Sequence, residues 1–198
     1  MEAENMGMSA DSNSLERQRP ARLGQSRPPR IGILGGGQLA KMLAMAGQRL
    51  GCKVYVAEQT ADCPAASLAN HFRVIQWEDA VGLQSFFGDC DVVTLENEFI
   101  PLSTLNELQA AGVTLRPSVR TFALVQDKWV QKHTLANAGL QVPRCVDVTL
   151  PAQVETLGAR WGWPLLLKCR YHGYDGKGNR TLRSAEDIGP AWEELSRG

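Results

Sequence analysis

The sequence predicts an α/β protein with two folded parts. The first is a set of parallel strands alternating with helices, and the second is the opening portion of a smaller α/β lobe. Three observations carry this prediction. An apolar run, Ile31-Gly32-Ile33-Leu34, enters a glycine turn, then a helical pattern, then a second apolar run. The same alternation recurs as far as Leu115. A later apolar run, Pro164 to Leu167, leads into a second glycine-rich stretch, this one flanked by lysines.

Composition narrows the classes of function. The 198 residues carry 21 Lys and Arg against 21 Asp and Glu, a formal net charge of zero, with a hydrophobic fraction of 43%. This length supports one large core or two small ones. Zero net charge gives no electrostatic reason to expect nucleic acid or an anionic membrane as partner. No apolar run approaches the ~20 residues that cross a bilayer. Cys52, Cys63, Cys90, Cys145 and Cys169 form no Cys-x-x-Cys pair and read as small core residues of a reducing compartment. Cys169 lies between Lys168 and Arg170, yet no His–Asp pair stands near it in sequence to make it a nucleophile.

Residues 1–29 are polar, with Ser, Asn, Arg and Pro, and are expected to be a disordered tail. The tail has no apolar core of a secretory signal. Glu2, Glu4, Asp11 and Glu16 argue against a transit peptide. Pro28-Pro29 marks the boundary. Ile31 to Leu34 is then a buried strand and Gly35-Gly36-Gly37-Gln38 a tight turn. A helix follows, with Leu39, Met42, Leu43, Ala46 and Leu50 expected on its buried face and Gly51 closing it. Lys53 to Ala57 is the next strand, ending at Glu58, and the right-handed crossover makes the pair parallel. Gly35-x-Gly37-x-x-Ala40 also fits a dinucleotide fingerprint, with Glu58 at the distance of a ribose-binding acid. Helix N-termini attract any phosphate or carboxylate, so an NAD(P)-binding oxidoreductase domain stands as the alternative reading.

The alternation continues with a strand at Arg73 to Ile75 and a helix around Leu83, Phe86 and Phe87. A strand at Asp91 to Glu96 follows, with Glu96 and Glu98 at its carboxyl end. Ligands of open α/β sheets bind outside such ends, although solvated loop carboxylates would look the same. A helix after Pro101 and a last strand at Val113 to Leu115 complete the first unit. Ser118 is a plausible N-cap for helical stretches at Val119–Val125 and Asp127–Ala138. Beyond Pro143 come an expected strand at Arg144–Val148, a helix at Ala152–Arg160, and strands at Pro164–Lys168 and Arg180–Leu182. Ser184-Ala185-Glu186-Asp187 reads as a capping box, with Gly189-Pro190 interrupting the final helix until Ala191.

Lys168 to Asn179 is the chemically richest stretch. Glycine lets backbone N–H groups turn toward a ligand, and lysine adds a mobile charge suited to phosphate. A strand, a cationic glycine turn and a returning strand describe a flap over a polyphosphate. The pattern is not a Walker loop, and a glycine-rich hairpin with merely solvated lysines has the same composition.

Six motifs in order carry a resemblance: Ile33 to Leu39, Ala61-Asp62-Cys63-Pro64-Ala65, Asp91 to Glu98, Arg116-Pro117-Ser118, Gln126-Asp127-Lys128 and Gly173 to Gly178. From Pro29 onward the chain resembles N5-carboxyaminoimidazole ribonucleotide synthetase, the ATPase subunit of phosphoribosylaminoimidazole carboxylase, of the ATP-grasp superfamily. The resemblance implies a Rossmann-like pre-ATP-grasp domain with a parallel sheet at 30–117. It implies the first, small-lobe part of an ATP-grasp domain at 118–198. The implied reaction joins ATP, bicarbonate and 5-aminoimidazole ribonucleotide into the N5-carboxy product, ADP and phosphate, in cytoplasmic de novo purine synthesis. Carboxyphosphate is its intermediate.

The resemblance also assigns roles. Lys128, Lys168, Gly173, Tyr174, Asp175, Gly176, Lys177, Gly178 and Asn179 match the ATP-binding positions. Tyr174 and Lys177 also face the reacting side. Gly37, Gln38, Glu96 and Glu98 resemble the substrate-facing loops. Departures are His172 in place of a usual glycine, expected to stiffen or narrow the flap, Asn179 in place of a usual glutamine, and Leu95 and Asn97 beside the glutamates in place of aromatics. The implied Mg²⁺ has no ligand set in this sequence, so the chain reads as an N-terminal fragment. The complete family protein is expected to be a homodimer.

Overall fold

β1 (Arg30–Leu34) lies at the centre of a four-stranded parallel sheet because it is apolar on both faces and short of polar exits. The structure, a computed structural model, describes residues 27–173 and 177–196. Strand order is β3-β2-β1-β4, with β2 at Lys53–Glu58, β3 at His71–Val74 and β4 at Val92–Leu95. Asp91 secures the entrance to β1. Its carboxylate accepts the Arg30 N–H at 2.8 Å and pairs with Arg27 Nη2 at 2.8 Å. The Arg30 backbone N–H, more than the Arg27 guanidinium, holds its pKa below the usual carboxylate value. Residues 1–26 of the expected tail lie outside the described residues, and Arg27 is already fastened.

Both faces of the sheet are covered. On one, α1 (Gln38–Arg49) packs Ala40 and Ala44 over Ile33, Val54 and Val56. On the other, α2 (Ala80–Phe87), α3 (Leu102–Ala110) and α4 (Val119–Gln126) bury Leu83, Phe87, Leu105, Leu108 and Phe122 against Leu34, Val93 and Leu95. Ser118 does cap α4, accepting the Thr121 N–H at 3.2 Å. α5 (Lys128–Asn137) follows directly, and α6 is Pro151–Trp161. β5 (Leu165–Lys168) and β6 (Asn179–Leu182) form an antiparallel pair. With α6 and α7 (Ile188–Leu195) they enclose a small second core of Val154, Leu182, Ile188 and Ala191.

Several local expectations give way to the structure. The buried face of α1 is the small one, Ala40, Ala44 and Gly47, while Leu39, Met42, Leu43 and Leu50 are exposed. Close approach to the sheet is the reason: a Cβ on Gly47 would stand 3.1 Å from Val54 Cγ2. β3 begins at His71, two residues earlier than expected, and ends at Val74. Val113–Leu115 contributes only a single parallel bridge, Val93 to Leu115. Pro117, without an N–H, cannot extend it.

Arg144–Val148 forms no strand, because no neighbour among the described residues offers it a ladder. Ser184 makes no cap bond. Instead the Asp187 carboxylate accepts the Arg183 N–H at 2.6 Å, and a 3₁₀ turn at Ala185–Asp187 leads into α7. Gly189-Pro190 does not interrupt α7, because it falls in the first turn, where a proline N–H is not needed. None of the five cysteines is fully buried, and all are free thiols.

Candidate functional site

The first glycine turn is shaped by two glutamates at neighbouring strand ends. Glu58, leaving β2, accepts the Gly36 N–H at 2.8 Å and the Gln59 N–H at 2.6 Å. Glu96, leaving β4, accepts the Gly37 N–H at 2.5 Å and the Leu39 N–H at 3.1 Å. The second pair of bonds puts a carboxylate on the free N-terminus of α1, where the helix dipole favours negative charge. Gly37 must be glycine for this, since a Cβ there would collide with Glu96 Oε1. The N–H groups that would cradle a dinucleotide pyrophosphate are therefore taken by a side chain of the chain itself. Glu58 is likewise occupied with the turn. The NAD(P) reading loses both of its expected contacts.

Gln38 is exposed at the first position of α1. Asn97 Oδ1 accepts the Phe99 N–H at 3.0 Å and shapes the loop after β4. Of the expected substrate-facing set, Gly37 and Glu96 are in direct contact. Glu98 joins the site through its backbone carbonyl, which accepts Gln126 Nε2 at 2.8 Å.

The second glycine stretch leaves β5 at Lys168 and returns at Asn179, and these two residues face each other in register. Cys169 N–H donates to the Gly178 carbonyl at 2.8 Å, closing the base of the loop. Gly178 has φ +71, and a Cβ on it would lie 2.8 Å from Gly173 Cα, so the two ends touch backbone to backbone. Lys128 reaches the same place: a Cβ on Gly173 would be 3.2 Å from its Nζ. Lys177 is exposed and follows the tip. Tyr174, Asp175 and Gly176 lie outside the described residues. His172 adopts φ +57, the left-handed conformation that a glycine would take, and its ring stands 5.9 Å from that of Phe99.

The residues that join these two loops went unassigned in the sequence. Gln126 Nε2 donates to the carbonyls of Glu98 and Ile100, each at 2.8 Å. Asp127 is buried and caps α5, accepting the Trp129 N–H at 2.9 Å. The same carboxylate accepts Arg170 Nε at 3.1 Å, Arg170 Nη2, and the Tyr171 hydroxyl at 2.8 Å. The Arg170 guanidinium, aided by that hydroxyl, holds the Asp127 pKa at about 2 against the opposing effect of burial. Lys128 N–H completes the knot on the Arg170 carbonyl at 3.0 Å. An Asp directly before a helical run was a readable cap signal. Its second oxygen, turned to a residue 43 positions away, was not readable.

A doubly covered parallel sheet with two glutamates at the β2 and β4 ends, followed by an antiparallel hairpin, is matched by two family models. One, described as the ribonucleotide synthetase preATP-grasp domain, covers residues 29–126. The other, the ATP-grasp domain, covers residues 133–198. Together they define the class as ATP-grasp. An N5-carboxyaminoimidazole ribonucleotide synthase of Synechococcus elongatus is 39% identical over 158 residues, 80% of this chain and 40% of that one. The enzyme of that name from Pseudomonas aeruginosa is 36% identical over 84% of this chain and 46% of its own. Among solved structures, the Staphylococcus aureus synthetase complexed with ADP aligns at TM-score 0.78 and 32% identity, over 85% of this chain and 45% of that one. The Aspergillus clavatus synthase in complex with ADP and 5-aminoimidazole ribonucleotide aligns at TM-score 0.71 and 30% identity, over 85% and 44%.

This chain belongs to the N5-carboxyaminoimidazole ribonucleotide synthase family of the ATP-grasp superfamily. It spans about 40% of the first curated relative's length. Among the described residues, no helix is long and apolar enough to cross a membrane.

Proposed function

We propose that this chain supplies the ribonucleotide-facing domain and the phosphate flap of an ATP-dependent ligase. The reaction moves the γ-phosphoryl group of ATP to a bicarbonate oxygen, giving ADP and carboxyphosphate. The amine of 5-aminoimidazole ribonucleotide then attacks the carbonyl carbon, phosphate leaves, and the N5-carboxy product is released. The observation that supports this most is the convergence of Lys128 Nζ and the base of the glycine loop on Gly173. Phosphoryl transfer asks mainly for positioning and charge neutralisation, which fixed N–H groups and lysines provide.

In this reading Lys128, Lys168, Gly173, Lys177, Gly178 and Asn179, with Tyr174, Asp175 and Gly176, bind ATP. Tyr174 and Lys177 also face the reacting carbon, and Gly37, Gln38, Glu96 and Glu98 face the ribonucleotide. The units are 30–117 and 118–198 behind a tail at 1–29, with α4 packed back on the first core through Val119 and Phe122. A full-length protein of this family would act as a cytoplasmic homodimer. Mg²⁺ would enter with the nucleotide, held by its phosphates and one or two carboxylates; among the described residues no group of three or more His, Cys, Asp or Glu lies together.

Lys168→Ala tests the flap. Loss of one charge-assisted phosphate contact should weaken ATP binding to the chain about tenfold, read by NMR titration. An unchanged dissociation constant would mean a solvated hairpin lysine.

A further inference from the structure

We propose that Asp127 is a positioning residue for the phosphate flap. Its buried carboxylate fastens the base of the glycine loop, at Arg170 and Tyr171, to the start of α5, so that Lys128 and the loop base are presented to a phosphate group as one unit. This deepens the nucleotide reading above and rests on it.

The carboxylate does more than a helix cap requires. Capping α5 uses Oδ1, which accepts the Trp129 N–H at 2.9 Å and the Val130 N–H at 3.4 Å. A serine would serve that purpose as well. Oδ2 is turned to the flap, where it takes the Arg170 guanidinium and the Tyr171 hydroxyl. Burying a charge is costly unless every lone pair is used, and here both oxygens are engaged.

Lys128 is bound into the same knot from the backbone side, through its N–H to the Arg170 carbonyl. The Arg170 side chain is braced a second time by Asp147, Nη1 to Oδ2 at 3.0 Å. Lysine is a long, flexible side chain, and fixing its backbone on Arg170, with Nζ reaching Gly173, removes part of the freedom a phosphate contact would otherwise cost. The neighbouring Gln126 holds the 98–100 loop by separate bonds to the Glu98 and Ile100 carbonyls.

Asp127→Asn in the whole chain keeps the shape and removes the charge. Tyr171→Phe removes one bond and spares the cap of α5. The first readout is hydrogen exchange without nucleotide. The amides of Lys128 and Cys169, which close the knot and the loop base, should exchange about tenfold faster in Asp127→Asn. Tyr171→Phe should shift them less, and Val93 and Gly35 in the first domain should stay protected in both. Unchanged exchange at Lys128 and Cys169 in both variants overturns the proposal.

The second readout is ATP affinity in a double-mutant cycle with Lys128→Ala. Each single change should weaken binding about tenfold, and the pair by little more than either alone. Independent effects that multiply would overturn the shared positioning role. A wild-type chain that binds no ATP would refute the nucleotide reading, and the exchange result would still decide the fastening.

Discussion

Glu96→Ala should destabilise the first domain by about 2–4 kcal/mol, the loss of two charge-assisted bonds at a helix N-terminus. The two bonds are those from Gly37 and Leu39 N–H, and among the described residues the N-cap residue Gly37 adds no side-chain bond of its own. Without the carboxylate, the half-buried Gly37 N–H and the exposed Leu39 N–H, which form the positive end of α1, lose their acceptor. Added sulfate should restore part of the loss in the variant and do nothing for the parent chain, because the emptied turn becomes an ordinary helix-terminal anion site. Urea unfolding with and without sulfate reads both effects. A loss below about 0.5 kcal/mol would show Glu96 to be a solvated loop carboxylate.

The 198-residue chain alone should release no phosphate that depends on both bicarbonate and aminoimidazole ribonucleotide. In the proposed reading, flap and lysines hold the phosphates from one side. Among the described residues no group of three or more acidic or other metal-binding side chains is gathered to hold a cation against the phosphates, and the match covers only 45% of the solved relative bound to ADP. Missing metal assistance removes several kcal/mol of transition-state stabilisation, roughly three or more orders of magnitude in rate. Turnover near that of a complete synthetase, measured by phosphate release, would show that the chain carries the whole site.

What the sequence disclosed and what it withheld divide by the range of the interaction. Elements with strong local signals were legible: β1, β2 and β4 as apolar runs, α4 from Ser118, and the two glycine turns. The buried face of α1 was not. Helical spacing selects the bulky stripe of Leu39, Met42, Leu43 and Leu50, whereas the distance between helix and sheet admits only Ala40, Ala44 and Gly47. Arg144–Val148 has a strand's composition without a partner to pair with. In the candidate site, Gly37 and Glu96 were both named, yet their direct bond joins residues 59 apart and leaves no pattern in the intervening sequence. Gln126 and Asp127 were quoted as part of a motif while only Lys128 received a role. The contacts that give the other two meaning come from the 98–100 loop and from Arg170 and Tyr171.

The central claim is that the phosphates of ATP bind at the second glycine stretch and not at the first. Hydrogen exchange of the chain with saturating ATP, and separately with NADH, tests it directly. The account predicts that ATP slows exchange at Lys128 and across 168–182, that NADH slows it at neither, and that 35–40 is unchanged by both. Protection of 35–58 by NADH, with none at 168–182 by ATP, would contradict it.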